Sequence, residues 1–95
     1  MKDLQELRKE IDEIDGQLIA LFEKRMDTVL HVAEYKLAHD LPVLNAGREQ
    51  QVIDKCIALL RNKDYSEAVT EWMNTTMSLS RGIQTRFLEE QKEKK

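Results

Sequence analysis

The stretch at residues 3–39, DLQELRKEIDEIDGQLIALFEKRMDTVLHVAEYKLAH, decides the fold. It contains no proline and a single glycine, Gly16. Apolar residues recur at Leu4, Leu7, Ile11, Ile14, Leu18 and Leu21, and the stripe continues through Phe22, Val29, Val32 and Ala33. Steps of three and four mark one face of an α-helix, because 3.6 residues complete a turn. Asp3 is a suitable N-cap, with Glu6 three residues on as its capping-box partner. Pro42 disfavours helical backbone at Leu41, so the helix is expected to end near Asp40.

The length of this helix sets the architecture. About 36 residues rising 1.5 Å each reach roughly 54 Å. A compact chain of 95 residues has a diameter of only roughly 30 Å. The helix therefore outgrows its own monomer, and its apolar stripe runs the whole way. Exchange of helices between two copies of the chain is the simplest way to cover the overhanging half. A solitary coiled coil competes with this, but the stripe carries charges that a plain zipper would not tolerate.

Beyond the long helix, Pro42 to Asn45 reads as a short extended loop. A second helix is expected over about 46–62, capped by Asn45, with Val52, Ile53, Cys56, Ile57 and Leu60 facing inward. Lys63-Asp64-Tyr65 reads as a turn, with Ser66 capping a third helix that reaches about residue 91. The apolar positions of that helix are Val69, Trp72, Met73, Met77, Ile83 and Phe87, with Leu88 beside them. The terminal Lys92-Glu93-Lys94-Lys95 is expected to be solvated and frayed. No repeat, low-complexity linker or second domain interrupts the pattern, so residues 1–95 are expected to form one all-α domain of three helices.

Composition narrows the partners. A formal charge of −3 argues against nucleic acid or an anionic membrane as the main target, so any anion must be held by a local cluster of cations. One cysteine, Cys56, leaves no internal disulfide and fits a reducing compartment. No segment approaches the roughly 18 apolar residues of a membrane span. The first residues, MKDLQE, are charged and already periodic, unlike a signal peptide. A cytoplasmic helical protein is the expectation.

The charges within the apolar stripe carry the chemistry. Extending its spacing passes through Arg8, Asp15, Arg25 and Lys36. Arg25 lies seven residues after Leu18 and seven before Val32, while Lys36 follows Val29 by seven. Arg25 and Lys36 are three turns apart and point the same way, roughly 16 Å from each other. Buried cations are normally paired or bound to an anion. Each alone is as well read as a head group snorkelling to water. Two on one seam favour an anion site. Arg8 lies about 25 Å from Arg25 and about 42 Å from Lys36 along the same helix. If all three contact one small ligand, Arg8 must come from the other subunit of an antiparallel pair.

Two further clusters extend the pattern. Asn45, Arg48 and Glu49 stand at the start of the second helix, where free N–H groups favour anions. Ser80 and Gln84 share one face of the third, in phase with Met73, Met77 and Phe87. Gly82 costs that helix about 1 kcal/mol relative to alanine, which suggests the close approach of a neighbour or ligand.

In order and spacing, these residues resemble the all-helical (AroQ-type, type II) chorismate mutases. The resemblance rests on Leu7-Arg8-x-x-Ile11-x-x-Ile14-Asp15, Leu21-Phe22-x-x-Arg25, Val32-Ala33-x-x-Lys36, Pro42-Val43-x-Asn45-x-x-Arg48-Glu49 and Ser80-x-x-x-Gln84. It runs from Leu4 to about Leu88. Each fragment alone is weak; together they are specific. The resemblance implies an intertwined, helix-exchanged homodimer with two equivalent sites between the subunits. It implies rearrangement of chorismate to prephenate, in phenylalanine and tyrosine biosynthesis, with no cofactor and no metal. Carried onto this chain, Arg25 and Arg8 of the partner subunit would bind the two substrate carboxylates, with Arg48 supporting that end. Glu49 would accept a hydrogen bond from the ring hydroxyl, and Ser80 would line the pocket. Lys36 and Gln84 would be the catalytic donors to the ether oxygen. Asn45 stands where many relatives carry Asp, so either hydroxyl binding or simple capping fits it.

Two rivals stay open. An isochorismate-pyruvate lyase shares this fold, although Glu49 directly after Arg48 and the Lys36 and Gln84 pair look more like the mutase. A non-catalytic helical regulatory dimer gives no reason for cations in the seam. Control by a partner enzyme of aromatic biosynthesis is compatible with either activity. His31, His39 and Cys56 have no ligand or catalytic partner at useful spacing and read as surface, cap and core residues, while Trp72 and the methionines read as core filling.

Overall fold

The computed structural model describes residues 1–94 and is built from three α-helices. Helix α1 spans Leu4–Ala38, α2 spans Ala46–Leu59 and α3 spans Ser66–Glu93, with a single 3-10 turn at Lys63–Tyr65 leading into α3. Lys95 lies outside the described residues.

Each helix boundary has a local cause. The backbone N–H of Glu6 donates to Asp3 Oδ1 at 2.8 Å, which satisfies one of the free donors at the start of α1. At the other end, Leu41 N–H donates to the Lys36 carbonyl and Asp40 N–H to that of Leu37. Asp40 sits in the left-handed region, at φ 56°. This crossed pair of bonds is a Schellman closure with aspartate in the usual glycine position. Helix α1 thus stops where Pro42 forbids further helix, and the chain turns back along it.

Helix α2 ends three residues short of the expected 62, because Leu60 swings into extended backbone (φ −67°, ψ 132°). The ammonium of Lys63 then takes the freed carbonyls of Ile57 at 2.6 Å and Ala58 at 3.3 Å. Ser66 is not the side-chain cap expected from the sequence. The 3-10 turn runs straight into α3, Tyr65 occupies the cap position without a side-chain bond, and Ser66 Oγ donates back to the Lys63 carbonyl. Helix α3 also continues through Lys92 and Glu93, which were expected to fray.

Helix α3 packs on both α1 and α2. Ile53, Met73 and Met77 form the buried centre, with Val52, Cys56, Ile57 and Val69 against them. Met26 and Ala33 are the buried residues of α1. Trp72, expected in the core, is 57% exposed. The inward stripe of α3 runs Met73, Met77, Ser80, Gln84, and Trp72 stands about 100° round the helix from it.

The fold is elongated, measuring 60 × 27 × 15 Å with a radius of gyration of 17.0 Å. A compact chain of this length would have roughly 12 Å. The difference comes from the N-terminal half of α1, where Leu4, Leu7, Ile11, Ile14, Leu18 and Leu21 are each 41–61% exposed within one chain.

Candidate active site

A cleft of about 540 Å³ opens where the second half of α1, the α1–α2 loop, the first turns of α2 and the middle of α3 converge. Helix α1 contributes Arg25 and Lys36, which share one face as their eleven-residue spacing requires. The loop and α2 contribute Asn45, Arg48 and Glu49, and α3 contributes Ser80 and Gln84. Seven of the eight residues singled out in the sequence therefore meet in one place. The eighth, Arg8, is exposed near the far end of α1 and does not line the cleft.

Hydrogen bonds hold several of these side chains in position. Arg25 Nη1 donates to Ser80 Oγ at 2.8 Å, and Ser80 Oγ donates in turn to the Thr76 carbonyl at 2.8 Å. The hydroxyl has one proton and spends it on its own helix, so its lone pairs face the arginine. Lys36 Nζ donates to the Val43 carbonyl at 2.6 Å, which pins the loop to α1 and leaves two ammonium protons for other acceptors. Asn45 Oδ1 accepts from the Arg48 N–H at 3.0 Å, so its oxygen caps α2 with one lone pair, and its amide NH2 makes no hydrogen bond among the described residues. Gln84 is 6% exposed, and its Oε1 is the one buried side-chain polar atom among the described residues without a hydrogen-bond partner. A buried amide with unspent hydrogen-bonding capacity is costly unless a ligand meets it.

Sequence reasoning missed Arg81. Its Nη1 lies 2.6 and 2.5 Å from the two carboxylate oxygens of Glu49, joining α3 to α2 across the cleft wall. Lys24 lines the cleft as well. With both included, five cations (Lys24, Arg25, Lys36, Arg48 and Arg81) face one carboxylate, Glu49. The cleft is thus strongly positive in a chain whose formal charge is −3. Its remaining lining is apolar, including Leu21, Val29, Val32 and Met77. Such a lining strengthens the attraction for a small anion carrying more than one negative charge.

Gly82 was expected to admit a close neighbour. It is exposed, and a Cβ there would meet nothing within 4 Å. No group of three or more His, Cys, Asp or Glu among the described residues could hold a metal ion. Among the described residues, no helix is long and apolar enough to cross a membrane.

The profile of the family described as "Chorismate mutase type II" matches residues 7–85, which include every residue named in the cleft and Arg8. The chain belongs to the type II chorismate mutase family. A chorismate mutase of Methanocaldococcus jannaschii is 27% identical over 95 residues, covering 99% of this chain and 96% of that protein. A 4-amino-4-deoxychorismate mutase of Streptomyces venezuelae is 38% identical over 53 residues, 56% of this chain and 52% of that protein. The T-protein of Haemophilus influenzae is 45% identical over 49 residues, 13% of its length. The similarity thus spans about half of the first of these partial relatives and a small part of the second. No solved structure gives a significant match. For a type II chorismate mutase, the convergence of α1, α2 and α3 on one cationic cleft is the feature that bears on activity.

Proposed function

We propose that this chain catalyses the rearrangement of chorismate to prephenate, as a homodimer with exchanged helices. The observation that carries the reading is the meeting of Arg25, Lys36, Arg48, Glu49 and Gln84 in one small, largely apolar cleft. Chorismate is a dianion, and the rearrangement breaks a C–O bond and forms a C–C bond within one molecule. It needs no nucleophile. It needs the substrate held in its folded conformer and donors aimed at the ether oxygen as that bond stretches.

The geometry suits those two tasks. Arg25, held by Ser80, supplies a fixed cation for one carboxylate, and Arg48 supplies a second cation in the same cleft. Lys36, with ammonium protons to spare, and the side-chain NH2 group of Gln84 supply the donors for the ether oxygen. Each such donor typically contributes about 10²–10³-fold. Glu49 supplies an acceptor for the ring hydroxyl.

Two facts about α1 support dimerisation. Its N-terminal apolar stripe is uncovered in the single chain. Contiguous exposed apolar surface of this kind marks an interaction surface. Arg8, on the same stretch, is too far along the helix to reach the cleft of its own chain, and Arg8 of the partner subunit would complete the carboxylate site in an antiparallel pair. An aromatic-biosynthesis enzyme acting as a regulatory partner fits the exposed apolar surface no better than a second copy does.

The deciding experiment incubates purified protein with chorismate and, in a parallel reaction, with isochorismate, follows loss of substrate absorbance and identifies the product. Prephenate is expected; pyruvate released from isochorismate without prephenate formation would favour the lyase instead.

A further inference from the structure

Within the chorismate mutase reading, on which this inference rests, Glu49 faces the ring carbon that carries the hydroxyl. The relative from Streptomyces venezuelae acts, by its name, on a substrate with an amino group at that carbon. A free carboxylate would favour that group, which is an ammonium at neutral pH, through direct charge pairing. In this chain the carboxylate is not free. Arg81 Nη1 contacts both of its oxygens at 2.6 and 2.5 Å, and the two side chains are 35% and 25% exposed. A partly buried pair is less screened than a surface one, so the compensation of charge is felt by a ligand beside it.

We propose that Arg81 is a specificity-determining residue, which neutralises Glu49 and so makes the cleft select a hydroxyl over an ammonium at the ring carbon Glu49 faces. Each carboxylate oxygen has two lone pairs, and the contacts with Arg81 use one on each. Glu49 therefore still accepts a hydrogen bond from a neutral hydroxyl. An ammonium in the same position gains the same bond but stands beside a guanidinium, and like charges brought together are the standard means by which a site rejects a competitor. Arg81 also fixes the orientation of the acceptor by bridging α2 and α3.

The test measures kcat/KM for chorismate and for 4-amino-4-deoxychorismate with the full chain and with Arg81→Met, Arg81→Gln and Arg81→Lys. The wild-type chain is expected to prefer chorismate. Arg81→Met, which keeps the stem and removes the charge, is expected to move the ratio of the two values toward the amino substrate by about tenfold or more. Arg81→Gln keeps a donor for Glu49 without the charge and is expected to move it in the same direction, so the test holds even where the methionine variant fails to fold. Arg81→Lys is expected to keep the wild-type preference. A merely structural role would lower both kcat/KM values together and leave their ratio alone, and that result in a folded, active Arg81→Met or Arg81→Gln overturns the inference while leaving the mutase activity standing. Turnover of neither substrate by the wild-type chain overturns the activity reading and the inference with it.

Discussion

Arg25 and Ser80, fifty-five residues apart in sequence, are joined by a 2.8 Å hydrogen bond from the guanidinium Nη1 to the serine hydroxyl. The bond ties α1 to α3 at the floor of the cleft and gives the arginine a fixed direction. A side chain with several rotatable bonds loses substantial entropy when it binds a carboxylate. Ser80 removes part of that cost in advance. Ser80→Ala is therefore expected to raise KM by about three- to tenfold, the equivalent of one typical net hydrogen bond, with a smaller effect on kcat. Steady-state kinetics on the purified variant check this, and an unchanged KM would show that Arg25 is positioned without Ser80.

Lys36 is anchored differently, to the Val43 carbonyl at 2.6 Å. Its role as a donor to the reacting oxygen predicts a loss in kcat/KM of about 10²–10³-fold or more in Lys36→Ala. The helix content should survive, because the closure of α1 rests on backbone bonds from Leu41 and Asp40 and not on the ammonium. Circular dichroism and kinetics on the same preparation separate the two effects. Turnover close to wild type would remove Lys36 from the mechanism.

Gln84 allows a prediction about pH. An amide donates a hydrogen bond at any ordinary pH, whereas a carboxyl group donates only when protonated. The position is 6% exposed, and burial disfavours a charged carboxylate. In Gln84→Glu burial raises the pKa of the carboxyl group and the cations of the cleft lower it, and in either case it donates only while protonated. Activity of the variant should be highest at acid pH and fall as the carboxyl group ionises, while the wild-type chain shows no such decline toward neutral pH. A pH profile of kcat/KM for both proteins checks the sign, and parallel profiles would exclude a donor role for this residue.

The interior offers a control that touches neither the cleft's charges nor the outer half of α1. Ile53 is 8% exposed and packs with Met73 in the buried centre. Ile53→Ala removes buried carbon and leaves a cavity, at a cost of about 2–4 kcal/mol. Denaturant melts should report that loss of stability, while KM for the folded fraction stays near the wild-type value.

The long helix was legible in the sequence because its period is sustained and Pro42 stops it. Arg25, Lys36 and Gln84 were legible because each is a polar residue in an apolar stripe, a local conflict that only a site or a partner resolves. Arg81 gave no such signal. Its counterpart Glu49 is thirty-two residues away on another helix, and no spacing within either helix announces their contact. The same limit applies to Ser66 and Trp72. Ser66 has the composition of a cap, but the preceding 3-10 turn takes over that role. Trp72 fits a stripe of apolar residues, yet the neighbouring Met73 is the one turned inward. Local composition marks which residues suit a place, and tertiary packing chooses among neighbours one position apart.

The assignment of Arg8 to the partner subunit can be tested by mixing two inactive proteins. Take Arg8→Ala and Lys36→Ala as separate homodimers, each defective at both sites. In a heterodimer of the two, one site combines an intact Lys36 with Arg8 of the partner subunit, also intact. The other site carries both lesions. Unfolding and refolding an equal mixture should give about half heterodimers, each with one working site, and so recover about a quarter of wild-type activity. If Arg8 served the cleft of its own chain, each site of the heterodimer would carry one lesion and nothing would be regained. Recovery well above the sum of the separate homodimers therefore requires both a dimer and an arginine supplied across it. A third protein, Ile14→Asp, places a charge on the apolar stripe of α1 where Ile14 is 54% exposed in the single chain. Sedimentation should find it monomeric, and it should neither turn over substrate nor complement either partner.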